Sequence, residues 1–121
     1  MAKILIIDDE VDLLEILQAI LESADHNVEI CTSGRKAVSK IREEPFDLVL
    51  SDIVMPDQDG IETIKQITEI DPGMKIICMS GGGSLPAETY LKLAQHLGAS
   101  KILRKPFQGA ELIKSVNELL G

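Results

Sequence analysis

The sequence predicts a doubly wound α/β fold: a five-stranded parallel sheet in the order 2-1-3-4-5, flanked by five helices. Three observations point there. Short apolar runs alternate with helix-period segments from one end to the other, the sequence form of repeated βα units. The runs are apolar on both faces, as strands covered by helices on each side must be. Finally, Asp8 and Asp9 follow the first run and Asp52 the third, whereas the second ends in Thr32-Ser33. In the order 2-1-3-4-5 the winding reverses between strands 1 and 3, where open α/β sheets bind ligands.

Taken in order, Lys3–Ile7 is the first strand, and the helix over Val11–Ala24 turns Val11, Leu14, Leu17 and Leu21 to the core. Asn27–Thr32 is a shorter strand with Val28 and Ile30 inward. Ser33–Glu43 is a short helix stopped by Pro45. Asp47–Ser51, built on Leu48-Val49-Leu50, is central because it is apolar on both faces. A turn from Met55 to Gly60 leads into the helix Ile61–Ile70, closed by Asp71-Pro72-Gly73. Met74–Met79 is the fourth strand, and Ser80–Ser84 a glycine-rich loop. The helix Pro86–Leu97 follows, with proline in its first turn and Gly98 at its end. Lys101–Arg104 is the fifth strand and Ala110–Leu120 the last helix. No linker, repeat or low-complexity segment interrupts the pattern, so residues 1–121 are expected to form one domain.

Apolar residues make up 45% of the 121 and charged ones 26%, which suits a core without disulfide or metal staples. The apolar start Ile4–Ile7 is too short for a signal peptide and lacks a cleavage site, so a cytoplasmic protein with no membrane contact is expected. Cys31 and Cys78 sit inside apolar runs without CxxC spacing and read as reduced core residues. The net charge of −8 and the absence of a basic cluster argue against direct nucleic-acid binding. The expected partner is protein.

Because all strands of a parallel sheet point one way, Asp8, Asp9, Asp52, Ser80 and Lys105, each just beyond a strand, converge on one edge. An aspartate after a strand is often only a helix cap. Several together are another matter, since two carboxylates about 4 Å apart repel by roughly 4 kcal/mol at an effective dielectric of 20, and a third calls for a cation. Oxygen-only ligation with few carboxylates suits Mg²⁺; Asp57, Asp59 and Gly60 imitate the start of an EF-hand loop, but its remaining ligands do not follow.

The acidic stretch Ile7-Asp8-Asp9-Glu10, the block from Asp47 through Ser51-Asp52-Ile53-Val54-Met55-Pro56 to Gly60, Met79-Ser80-Gly81 and Lys105-Pro106-Phe107 each follow their own strand. Together they resemble the receiver domains of two-component response regulators, over essentially the whole chain. The resemblance implies a flavodoxin-like (CheY-like) fold and Asp52 as phosphoryl acceptor. Mg²⁺ would be held by Asp8, Asp9, Asp52 and the Val54 carbonyl. Ser80 would hydrogen-bond the phosphoryl group, and Lys105, before a cis proline bond, would pair with it. It further implies a phosphohistidine donor, in a sensor histidine kinase or a histidine phosphotransfer protein. The output partner is unspecified and is reached through helix 4, strand 5 and helix 5. The domain assists its own phosphorylation and hydrolysis and is otherwise no enzyme. With the sequence stopping after the last helix, output is expected to pass to a separate protein.

One departure stands out: Ile102 occupies a position that is usually aromatic in that family and swings inward on activation. Val54 and Gly82 stand at positions that tune hydrolysis. Among the remaining polar and aromatic residues, His26 and His96 are expected at the surface, Phe46, Phe107 and Met55 in packing roles, and Tyr90 either on the output face or in the core.

An aspartyl-phosphate phosphatase of similar topology usually has a second aspartate two residues after the nucleophile, where this chain has Val54. A flavin carrier wants aromatic walls, and there is no Trp and one Tyr. A degenerate receiver that docks without phosphate is set against the presence of all five polar residues.

Overall fold

The computed structural model describes residues 2–52, 60–80, 87–96 and 98–121. Its strands are β1 (Lys3–Ile7), β2 (Asn27–Cys31), β3 (Leu48–Asp52), β4 (Lys75–Ser80) and β5 (Lys101–Arg104). Its helices are α1 (Val11–Ser23), α2 (Gly34–Glu43), α3 (Gly60–Ile70), α4 (Ala87–His96) and α5 (Gly109–Leu120). The strands are all parallel and lie in the order β2-β1-β3-β4-β5, as predicted.

Successive strand residues face opposite sides of the sheet, and the core divides accordingly. On one side Leu5, Ile7, Val49, Ile76 and Cys78 meet Ala37, Val38 and Ile41 of α2 and Ile64 and Ile67 of α3. On the other, Ile4, Ile6, Leu48, Leu50 and Ile77 meet Leu14, Leu17 and Leu21 of α1 and Leu112 and Val116 of α5. Every residue of β3 is buried, as its central place requires. Phe46 is buried and Phe107 packs on the α1/α5 side. Both cysteines are free thiols in the core.

Element ends differ from the sequence reading by a residue or two. The β3 ladder reaches Asp52, opposite Met79, and the β4 ladder reaches Ser80, opposite Arg104. Both residues are therefore the last of their strands and not the first of a loop, because backbone pairing does not stop where side chains turn polar. β2 ends at Cys31 because its partner strand stops at Ile7, leaving Thr32 unpaired in the ladder. Ser33 is the N-cap of α2, its Oγ accepting from the Lys36 N–H at 3.2 Å.

The place given to Val11 is corrected: it is 50% exposed. Leu14, Leu17 and Leu21 form the buried stripe of α1, and Val11, in its first turn, lies at the edge of that stripe. His26 is half-buried, its Nδ1 accepting from the Ala2 N–H and its Nε2 meeting Asn117, while His96 is exposed. The turn at 55–59, the loop at 81–84, Pro86 and Leu97 fall outside the described residues.

Candidate functional site at the carboxyl ends of the strands

The sheet order sets β1 beside β3, so the residues that leave those strands share one edge. Asp8, immediately after β1, has no exposed surface, and Asp52, closing β3, is 8% exposed. Lys105 directly follows β5, yet its ammonium reaches across to both: Nζ lies 2.8 Å from Asp8 Oδ2 and 3.4 Å from Asp52 Oδ2. Residues 97 and 53 positions apart thus meet at one ammonium. The Lys105–Pro106 bond is cis.

Asp8 is held at both oxygens, since its Oδ1 accepts from the Glu10 N–H at 2.9 Å. Two donors on one buried carboxylate are what make its burial tolerable. Burial draws the Lys105 pKa down, but the hydrogen bond to Asp8 and the charges of Asp52 and Asp8 outweigh it, and the net shift is upward. The ammonium is therefore charged throughout the neutral range. Beside Asp52, burial first and the aspartate's charge second push the Cys78 thiol up to about 12, which leaves it protonated and inert.

Asp9 and Glu10 are exposed, and carboxylate oxygens of Asp8, Asp9 and Glu10 all lie within 4.8 Å of one another. Three hard oxygen donors at that spacing fit a small divalent cation such as Mg²⁺. Ser80 ends β4 at the same edge. Val54 and Gly82 lie outside the described residues.

Two residues near the site had not been singled out. Glu10 belongs to the acidic stretch that follows β1, and its adjacency to Asp8-Asp9 is the sequence signal that marks it. Ser51, fully buried, donates through Oγ to the backbone carbonyl of Asp52 at 3.0 Å; a lone hydroxyl in an apolar strand was its only mark. Ile102, at the position of the usual aromatic, is partly buried against the α2/α3 side of the core.

An acidic pocket reached by a lysine, at the switch point of a five-stranded doubly wound sheet, is the arrangement of a receiver-like signalling domain. The family model for the response regulator receiver domain matches residues 4–117. The chain is 35% identical over 120 residues to the response regulator receiver protein CpdR of Brucella abortus, covering 99% of this chain and 98% of that protein. It is 37% identical over 117 residues to the transcriptional regulatory protein ZraR of Escherichia coli, covering 97% of this chain but 26% of that longer protein. A CheY-like receiver domain structure from Methanospirillum hungatei superposes with a TM-score of 0.91 at 33% identity, covering 99% of this chain and 94% of that one. The chain belongs to the receiver domain family of two-component response regulators, and it is a signalling module of that kind. Among the described residues, no helix is long and apolar enough to cross a membrane.

Proposed function

We propose that Asp52 accepts a phosphoryl group from a phosphohistidine donor in a sensor histidine kinase or a histidine phosphotransfer protein, and that the modified protein binds a different partner. The observation that carries this reading is the Lys105 ammonium lying between Asp8 and Asp52, at 2.8 Å and 3.4 Å, with the exposed carboxylates of Asp9 and Glu10 beside them.

An Asp52 carboxylate oxygen bonds to phosphorus while the phosphorus–nitrogen bond of the donor breaks, and the imidazole leaves with that electron pair. Lys105 faces the negative charge of the transferring group and keeps it aligned. Asp8 holds the lysine in place, and Ser80, at the end of the neighbouring strand, supplies a hydroxyl for a phosphoryl oxygen. Asp8, Asp9, Asp52 and the Val54 carbonyl would hold Mg²⁺, which when bound neutralises phosphoryl charge. Water later attacks the phosphorus and Asp52 leaves as carboxylate, so the domain assists its own phosphorylation and dephosphorylation and does no other chemistry.

Phosphorylation exchanges one negative charge for about −1.5 to −2 and three acceptor oxygens. The change is read out through α4, β5 and α5, with Ile102 making the usual aromatic swing unavailable. The reading places the domain in the cytoplasm, as one unit over residues 1–121.

Intact-mass measurement after treatment with acetyl phosphate and Mg²⁺ tests the assignment. The parent is expected to gain one phosphoryl group and Asp52→Ala none; a gain of one phosphoryl in both would remove Asp52 from the role.

A further inference from the structure

Along the sequence no run of cations is longer than two residues, but α2 gathers them. Arg35, Lys36, Lys40 and Arg42 are four of the chain's twelve lysines and arginines, and Glu43 is the one acid among the residues of that helix. The chain as a whole carries a net charge of −8. Ala37, Val38 and Ile41 turn to the core, which leaves the charged side chains on the outer face. Lys40 is paired already, its Nζ lying 2.8 Å from Glu29 Oε1. Arg35, Lys36 and Arg42 are exposed, and among the described residues they form no salt bridge.

The acids Asp12, Glu15 and Glu22 of α1 lie across the sheet from α2. With a screening length of about 8 Å at physiological salt, they leave the cations of α2 uncompensated. On the neighbouring α3, the exposed charges are Glu62, Lys65 and Glu69, of mixed sign.

We propose that the outer face of α2 docks an acidic segment of a protein partner. Arg35 and Arg42, seven positions apart, fall on one line of the helix about 10 Å from each other, and Lys36 flanks them. Guanidinium groups take carboxylates in bidentate pairs. The complementary segment carries carboxylates about 10 Å apart, which is seven residues of a helix or three of an extended chain. Nucleic acid or an anionic lipid surface would present its charge to the whole domain, where the net charge of −8 opposes it; a short acidic segment meets α2 alone. α2 packs on β1, β2 and α3 at one edge of the sheet, and β5 forms the other edge. Docking there leaves the face proposed for output open to a second protein.

The test is an NMR titration of the unphosphorylated chain with a synthetic alanine-rich helical peptide bearing paired glutamates seven positions apart, at about 0.05 M and about 0.3 M salt. Shifts should concentrate at residues 33–43, and binding should weaken at the higher salt. Arg35→Glu with Arg42→Glu should weaken it by about 10-fold at the lower salt, since two exposed ion pairs are lost and like charges replace them. Lys75→Glu with Lys114→Glu makes the same change in net charge away from α2 and should stay within about 2-fold of the parent. Should the first pair fold poorly by circular dichroism, Arg35→Gln with Arg42→Gln replaces it, with an expected loss of about 5-fold.

Shifts spread evenly over the surface, no binding at the lower salt, or an equal loss in both pairs of variants would overturn the proposal. So would a DNA duplex, or vesicles of phosphatidylglycerol and phosphatidylcholine, moving the α2 signals as tightly as the peptide does, because the face would then attract anions in general. None of these outcomes depends on Asp52 accepting a phosphoryl group, so failure here and failure of the proposed function are separable.

Discussion

Replacing Lys105 with methionine keeps the length and apolar stem of the side chain and deletes its charge, which isolates the bridge between Asp8 and Asp52. Asp8 has no exposed surface, and among the described residues its donors are the Lys105 ammonium at 2.8 Å and the Glu10 N–H at 2.9 Å. Without the lysine it keeps one donor and shares its pocket with Asp52, which is itself 8% exposed. Removing one member of a buried ion pair costs roughly 3–5 kcal/mol, mostly from the charge left behind. Lys105 retains 19% of its side-chain exposure, and the Glu10 N–H stays in place. Both reduce the cost, to about 2–3 kcal/mol. For a domain of this size each kcal/mol moves the melting temperature by about 4 °C, so Lys105→Met should melt about 8–12 °C below the parent at pH 7.

The pH dependence has a definite sign. The Lys105 pKa is raised in the folded protein, so its contribution is complete below the ordinary lysine value near 10.4 and is lost as pH climbs through the folded value. The gap between parent and variant should hold from pH 7 to about 10 and close above it. Adding Asp8→Asn to Lys105→Met removes the stranded charge and should recover most of the loss, a non-additivity that a double-mutant cycle measures. Calorimetry or circular dichroism melts suffice. A Lys105→Met melting temperature within about 2 °C of the parent would refute the reasoning, as would a double variant no more stable than the single.

Four further outcomes follow from burial and charge elsewhere. Native protein should resist alkylation at Cys78 even at pH 9, because its thiol is pushed up to about 12; labelling should appear only as denaturant unfolds the chain, and fast native labelling followed by peptide mapping to Cys78 would contradict its burial. The Glu29 carboxyl is held down to about 2, by a hydrogen bond with Glu44 first and by Lys40 next. Its contribution is present above the ordinary glutamate range and lost as pH falls toward 2, so Glu29→Gln should lose less stability than the parent in melts taken between about pH 4.5 and 2.5. Val11→Lys, at a position 50% exposed, should change stability by no more than about 0.5 kcal/mol. Leu14→Ala, at a residue with no exposed surface, should cost about 2–5 kcal/mol in urea unfolding.

The strand order was legible because it follows from where aspartates fall: acids after the first and third runs, none after the second, select the topology that brings those runs together. The meeting of Asp8, Asp52 and Lys105 at one edge followed from the parallel direction of the strands. Periodicity could not fix the strand ends, since Asp52 and Ser80 remain in the hydrogen-bonded ladder despite their polarity. Nor could it place Val11, whose spacing to Leu14 is helical but whose position at the first turn leaves it half in water. The preference of Lys105 for Asp8 over Asp52, 2.8 Å against 3.4 Å, depends on tertiary geometry that no local pattern encodes.

The distribution of burial across the acids explains how one lysine can serve so charged a site. Carboxylates about 4.8 Å apart repel by roughly 3 kcal/mol at an effective dielectric of 20. Asp8, Asp9 and Glu10 sit within that distance of one another. The repulsion is screened best where water reaches, and Asp9 and Glu10 are exposed. Desolvation cannot be screened, and it falls on Asp8 and Asp52. Lys105 is bonded to those two and to neither of the exposed acids among the described residues. The fold thus places this cation where charge is most costly to bury, and among the described residues the solvent-facing carboxylates of Asp9 and Glu10 form no salt bridge with it.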